Sequence, residues 1–212
     1  TSAKYLNGPW DLTVRDDGDH AHVFVSDAIS GKVARIDLRV SAQRKGDKNG
    51  EDNSIVVEGE TIIASGYTHR CDPAAFVVGP TGLALDAQKD ILYIASTGDN
   101  AIYAVHDATD TRTDHGRGTL VISDSAHMHG PLGLVRAADG DLITTQGDAI
   151  NPDPAHQSEI VEYTSSGAFV SEFSIDPLAG SAFGMALESS GDGFRFAAVD
   201  DGLNVLDVWE VR

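Results

Sequence analysis

Short apolar runs alternate with turn signals along the whole chain, and this pattern predicts strands. Between residues 81 and 124 the runs are TGLALDA, ILYIAS, AIYAVHDA and GTLVISD. They are separated by Gln88–Asp90, Gly98–Asn100 and a polar loop over 108–117. Four to seven residues between Gly, Asp and Asn clusters is typical of strands, and no stretch of comparable quality has a helical period. We therefore expect four consecutive antiparallel strands in this segment.

The same four-strand pattern recurs along the chain. GPTGLAL at Gly79 and GPLGLVR at Gly130 are matched by GPWDLTV at Gly8 and by the weaker copy SAFGMAL. Gly82, Gly133 and Gly184 follow one another at intervals of 51 residues. The first interval is longer because insertions fall at 41–53 and 67–78. We therefore predict one domain over 1–212, with repeats at about 8–66, 79–124, 130–175 and 182–212.

The apolar pattern inside a repeat selects the architecture. Ile91 to Ala95 is apolar on both faces, whereas a strand of a two-layer sandwich alternates, so each sheet must be covered on both sides. Sheets stacked around an axis provide that cover, and the period suits a propeller blade. The prediction is an all-β β-propeller of four-stranded antiparallel blades, with about four blades present.

Each repeat resembles a blade of the NHL-repeat β-propeller family, most closely over Gly79–Val105, GPTGLALDAQKDILYIASTGDNAIYAV. It departs from the family pattern at Ser96, where Asp is usual, while Asp27 and Asp200 keep it. The resemblance implies a bacterial secreted or periplasmic protein and usually a six-bladed ring. It is a fold-level resemblance and transfers no reaction, because such propellers host enzymes and binding proteins alike.

The strand count does not close a ring. Fifteen strands are predicted and the fourth repeat supplies only three. An open blade edge is an aggregation hazard, so we expect either missing upstream blades, the chain being a C-terminal portion of a six-bladed ring, or a second chain that completes it. The alternative is a compact four-bladed ring in which Ser2–Leu6 serves as the last strand.

Charge and composition exclude several classes of partner. Lys and Arg total 15 against 33 Asp and Glu, a formal charge of −18, which repels nucleic acid and anionic membrane surfaces. No apolar run approaches the length needed to cross a bilayer, so membrane insertion is not expected. The single cysteine, Cys71, rules out an internal disulfide.

Polar residues concentrate in the loops predicted to emerge on one face of the propeller. These are the loops between blades and those between the second and third strands of a blade. The predicted ligand-binding face consists of His69, Arg70, Asp99, Asn100, His127, His129, Asp148, Asp200 and Asp201. The plainer interpretation is that Asp27, Asn100 and Asp200 form turns and that the histidines are solvated or hold the loops.

A metal site is the sharper hypothesis for this face. His127-x-His129 in an extended segment would point both imidazoles the same way, and His69 could complete a zinc site. Calcium held by loop carboxylates and carbonyls is the other possible cofactor. The spacing of these residues matches no specific metal motif.

Known catalytic signatures are absent from the sequence. There is no Gly-x-Ser-x-Gly, no His-Glu-x-x-His, no phosphate-binding glycine loop and no Cys-x-x-Cys. Lactonase-like propellers, which resemble this fold, carry a metal-binding Asn at positions that here hold Trp10, Thr81, Leu132 and Phe183. This difference argues against a lactonase with that ligand set.

The sequence thus favours a non-enzymatic, secreted or periplasmic scaffold that binds a protein, peptide or glycan through its loop face. The alternative is a metal-dependent lyase or hydrolase with a histidine site at the central channel, formed by His127, His129 and His69.

Overall fold

The computed structural model describes residues 4–41, 54–73, 76–147, 150–155, 159–178, 180–190 and 193–211. It confirms the all-β prediction: the sheets are antiparallel and are arranged as a four-bladed β-propeller. None of the described residues belongs to a helix long and apolar enough to cross a membrane.

Three blades have four strands in chain order, and the fourth has three among the residues described. The first blade contains β1 Pro9–Asp16, β2 His20–Asp27, β3 Lys32–Ser41 and β4 Ser54–Ser65. The second contains β7 Pro80–Asp86, β8 Ile91–Ser96, β9 Ala101–His106 and β10 Thr119–Ile122. The third contains β11 Pro131–Arg136, β12 Leu142–Gln146, β13 Glu159–Tyr163 and β14 Phe169–Ser174. The fourth contains β15 Ala182–Ser190, β16 Gly193–Asp200 and β17 Val205–Val211.

The two predicted insertions have different outcomes. Residues 67–78 contain a small hairpin, β5 Arg70–Asp72 with β6 Phe76–Val78, which the sequence pattern did not predict as strands. Most of the insertion at 41–53 lies outside the described residues. Lys4–Leu6, the described part of the alternative closing segment, forms a turn and an irregular stretch and no strand.

Burial on both faces of the blades, predicted from Ile91–Ala95, is confirmed. In β8, Leu92 and Ile94 pack into a cluster with the first blade, and Tyr93 and Ala95 pack into a cluster with the third. Fully burying a side chain such as Leu92 stabilises the fold by about 1.5–3 kcal/mol. The apolar runs therefore hold neighbouring blades together as well as filling each one.

The first strands of the blades lie nearest the axis, because they contact one another in chain order: β1 with β7, β7 with β11, and β11 with β15. Trp10 of β1 and Phe183 of β15 also approach, with ring centroids 6.0 Å apart. The first and fourth blades keep large apolar side chains exposed, among them Leu12, Val14, Leu206 and Val208.

Candidate functional site

The loops that the sequence predicts to bind a ligand are held by a main-chain hydrogen bond that recurs in each blade. The residue before the second-strand turn is Asp27, Ser96, Gln146 or Asp200 in the four blades, and each is buried. The next residue's N–H donates to the carbonyl oxygen that precedes the first strand, at Gly8, Gly79, Gly130 and Ser181, over 2.9–3.0 Å. This face is therefore built by hydrogen bonds that fix each loop to its own blade.

Several predicted site residues hold the loops. Asp200 is buried and accepts a hydrogen bond from Leu203 N at 3.0 Å, while Asp201 is exposed. Asn100 adopts a positive φ of 50°. Its amide nitrogen donates to Met128 O at 2.9 Å, and its oxygen accepts from Gly130 N at 2.7 Å. Asn100 thus fastens the connection between the second and third blades, in line with the turn-forming interpretation.

Asp99 joins the loops of the first and second blades. Its carboxylate accepts hydrogen bonds at 2.7 Å from Ser96 Oγ and from Thr68 Oγ1, and Arg117 lies 3.1 Å away. Burial raises the pKa of Asp99, but these hydrogen bonds and the guanidinium outweigh burial, so the pKa lies below its ordinary value. Asp99 is therefore ionised in the folded protein, and its charge stabilises the contact between the two loops.

Acidification should weaken the contact that Asp99 makes. A carboxylate whose pKa is depressed in the folded state stabilises that state above its unfolded pKa, and this contribution is lost as the pH falls through the folded value. We expect Asp99→Asn to lower the free energy of unfolding most at neutral pH, with the deficit shrinking below about pH 4. Urea unfolding of both proteins between pH 3 and 7 measures this, and parallel profiles would contradict it.

The three histidines predicted as metal ligands have separate partners. His69 Nδ1 lies 2.9 Å from Tyr67 O. His127 Nδ1 is 2.6 Å from Asp124 Oδ2, and its ring stacks on Phe169 at 3.8 Å. His129 is buried, and its main-chain N–H donates to Gln146 Oε1 at 2.8 Å.

The expected parallel direction of His127 and His129 does not occur. Residues 125–127 form a turn, in which Met128 N donates to Asp124 O, so the segment is not extended. His129 Nδ1 instead contacts Asn151. Within the described ranges, no three His, Cys, Asp or Glu side chains are grouped so that they could hold a metal ion.

Two further predicted residues lie elsewhere. Arg70 is on the small hairpin, where its guanidinium donates to Asp72 at 3.2 Å. Asp148 lies outside the described residues.

The axis of the propeller provides a pocket that the sequence analysis missed. In every blade the pairing of the first two strands skips two residues, which form a bulge. The skipped pairs are 10–11, 81–82, 132–133 and 183–184. Trp10, Asp11, Phe183 and Met185 line a pocket of about 240 Å³ together with Leu132–Leu134 and Gly184.

Asp11 is the carboxylate of this pocket. Its Oδ1 accepts a hydrogen bond from Leu12 N at 2.8 Å, and its Oδ2 accepts one from Leu83 N, in the next blade, at 2.9 Å. Burial raises the pKa of Asp11, and the two main-chain N–H groups oppose that effect without cancelling it. A partly buried carboxylate with a raised pKa is suited to exchange protons with a bound molecule.

A signal for Asp11 was present in the repeat alignment. The other three blades have glycine at this position, namely Gly82, Gly133 and Gly184. Asp11 is therefore a charged side chain at a bulge where the other repeats have no side chain.

Comparisons with known proteins extend the description of the fold. No protein-family model matches the chain, and no curated protein matches it in sequence. A solved gluconolactonase from Xanthomonas campestris matches with a TM-score of 0.53 and 15% identity. The match covers 100% of this chain and spans 60% of the gluconolactonase.

Two other solved structures match with TM-scores below 0.5, which do not establish a shared fold. A luciferin-regenerating enzyme has a TM-score of 0.43 and 11% identity, with 96% of this chain and 90% of that one covered. A calcium-binding protein, regucalcin, from Agrobacterium tumefaciens has 0.45 and 11%, with 92% and 82% covered.

These comparisons correct one prediction. The non-enzymatic scaffold is contradicted, because a solved structure that shares the fold is a gluconolactonase, an enzyme. The propeller itself is confirmed, and the more specific NHL-repeat identity stays a prediction.

Proposed function

We propose that this chain is a hydrolase for a small, uncharged ester or lactone, with the axial pocket as its substrate site. The observation that carries the proposal is Asp11, a carboxylate with a raised pKa at the wall of a pocket otherwise lined by apolar side chains and glycine. The fold shared with a gluconolactonase supports the reaction class.

Asp11 would act as the general base. Its carboxylate accepts a proton from a water molecule while that water attacks the carbonyl carbon of the ester, and the proton then passes to the leaving oxygen. The main-chain N–H groups of Leu12 and Leu83 hold the carboxylate in place, and each oxygen keeps a second lone pair for the water. Trp10, Phe183 and Met185 would contact the carbon skeleton of the substrate.

The donor groups around this pocket do not fit a metal ion. Asp11 is the one acidic side chain among the described residues that line it, and a single carboxylate with no histidine, cysteine or second acid beside it provides too few ligands for a metal ion. His69, His127 and His129 have their own partners on the loop face. No step of the proposed reaction therefore passes through a metal, which departs from the metal-dependent form of the alternative prediction.

Asp11→Asn tests the proposal. We expect at least about a 100-fold lower kcat/KM for lactone and aryl-ester hydrolysis, because the amide cannot accept the proton. The wild-type kcat/KM should rise with pH through the raised pKa of Asp11. Asp16→Asn, at the other end of β1, is the matched control and should keep full activity.

Two outcomes would overturn the assignment of Asp11. One is a wild-type enzyme that hydrolyses neither substrate class, and the other is an Asp11→Asn protein that is folded and fully active. We expect Asp11→Asn to fold, because the amide keeps a carbonyl oxygen that can accept the hydrogen bond from Leu83 N. Circular dichroism of the variant then shows whether a loss of activity comes from lost structure or from the lost carboxylate.

The remaining proposals rest on the sequence alone. They are membership of the NHL-repeat family, secretion or a periplasmic location, and association with a second chain. Light scattering of the purified protein tests the last of these, because a second chain would double the mass in solution.

A further inference from the structure

A cleft lies between the third and fourth blades. The space between the first and second blades and the space between the second and third are filled by buried side chains such as Tyr67, Leu92 and Tyr163. Between the outer strands of the third and fourth blades, a cavity of about 270 Å³ remains. Phe173, Phe194 and Trp209 on its walls are 45%, 40% and 37% exposed.

Aromatic rings dominate this cleft. Phe173 of β14 meets Trp209 of β17 edge to face at 6.0 Å, and Phe196 stacks on Trp209 at 5.5 Å. With Phe194, four aromatic side chains line one cavity in a chain whose aromatic content is only 7%. Faces of such rings are electronegative and attract cations.

One charged side chain, Glu162, also lines the cleft. Glu162 on β13 lies between its cross-strand partners Ile143 and Ser171, and Ser171 Oγ donates a hydrogen bond to it at 3.0 Å. The equivalent position in the second blade is Ala104, which is buried against the third blade. The repeat thus places a carboxylate where packing alone calls for a small apolar residue.

A carboxylate facing aromatic rings selects for positive charge. The rings and Glu162 attract a cation together, and the formal charge of −18 favours cations over anions at long range. Arg195, between Phe194 and Phe196 on β16, points to the other face of that strand, where it pairs with Glu188 and Glu210. The nearest basic side chain of the fourth blade is therefore turned away from the cleft.

The lining also distinguishes between kinds of cation. A primary ammonium has three N–H donors that are hydrated in water, and it loses part of this hydration on contact with carbon-rich walls, which is costly where few acceptors replace the water. Here the side-chain oxygens that line the cleft belong to Glu162 and Ser171. A quaternary ammonium carries four carbon substituents and has no N–H donors. Its methyl groups can pack against the aromatic rings of the cleft.

We propose that the cleft between the third and fourth blades binds a quaternary, methylated ammonium group, held by Glu162 and the rings of Phe173, Phe196 and Trp209. The site is separate from the axial pocket, and its ligand need not be a substrate of the proposed hydrolase. The same chemistry occurs in small molecules such as choline and in trimethyllysine side chains.

Calorimetric titration with tetramethylammonium tests the site, with tert-butanol as the neutral compound of similar shape. We expect tetramethylammonium to bind at least about tenfold more tightly than tert-butanol, and Glu162→Gln to remove most of that difference. Glu188→Gln makes the same change of charge outside the cleft and should leave both affinities unchanged. Phe173→Leu keeps an apolar wall but removes a ring, so it should weaken tetramethylammonium more than tert-butanol.

Other results would overturn the proposal. These are the absence of tetramethylammonium binding, equal affinity for the charged and neutral compounds, or a folded Glu162→Gln protein that retains the preference. Titrations with choline and with a trimethyllysine peptide then distinguish a small-molecule ligand from a methylated protein. The compound that binds more tightly identifies the class of ligand. Hydrolysis by the axial pocket is measured separately, so failure at either site leaves the other interpretable.

Discussion

Replacing Gly82 by alanine should lower the free energy of unfolding by about 3 kcal/mol, because the new methyl group has no room. A Cβ at this position would lie 2.5 Å from Leu134 N, 2.7 Å from Gly133 C and 2.8 Å from Leu132 O. All three atoms belong to the main chain of the next blade's first strand, so no side-chain rotation relieves the overlap. The second and third blades would have to separate near the axis.

Gly184→Ala is the matched control, because Gly184 occupies the same position in the fourth blade. The nearest atom to its Cβ would be Val199 Cγ2 at 3.8 Å, an ordinary contact. We expect this variant to be unchanged or stabilised by up to about 1 kcal/mol through the lower entropy of the unfolded chain. Urea unfolding measures both, and equal losses for the two variants would show that the axial contact is not what constrains Gly82.

Arg35→Met should cost about 3 kcal/mol of unfolding free energy. Arg35 lies on β3 and is only 5% exposed, because its side chain is buried between the first blade and the loop that follows β9. Its Nη1 donates to Ala108 O and to Thr111 O, each at 2.9 Å, and its Nε donates to Asp37 at 2.7 Å. The thioether would leave two carbonyl oxygens and a carboxylate without these hydrogen bonds, and the loop from 107 to 118 would lose two of its contacts with the first blade.

Arg39→Met serves as its control on the same strand. The Arg39 side chain is 59% exposed and pairs with Glu58 at 2.8 Å. An exposed ion pair of this kind contributes about 0–1 kcal/mol, so the variant should unfold close to wild type. If both substitutions destabilise the protein equally, the buried hydrogen bonds of Arg35 are not the cause of its effect.

The propeller was predictable because it follows from local patterns repeated along the chain. Strand positions come from short apolar runs between turn residues, and burial of both faces of β8 comes from its unbroken run of Leu92 to Ala95. The turn roles of Asn100 and Asp200 were also expected, since short polar side chains satisfy nearby main-chain groups. The hairpin within 67–78 was not, because its strands are only three residues long.

Side-chain direction at the loop face was not predictable in the same way. The His127-x-His129 spacing gives parallel rings only in an extended segment, and the hydrogen bond from Met128 N to Asp124 O turns the chain instead. That bond depends on how the connection between two blades is closed, which involves Asn100 and Asn151 from other parts of the chain. The partner of His129, Asn151, is distant in sequence, so the position of this histidine was decided by the closure of the two blades.

The sequence by itself determined the blades, their order and their two-sided burial, because these depend on hydrophobic period and turn chemistry within about fifty residues. Only the tertiary structure decided that Asp11 faces the axial pocket and that Glu162 shares a cleft with Phe173 and Trp209. Both arrangements join different blades, and the distance between blades is set by packing across their interfaces, which no local pattern records.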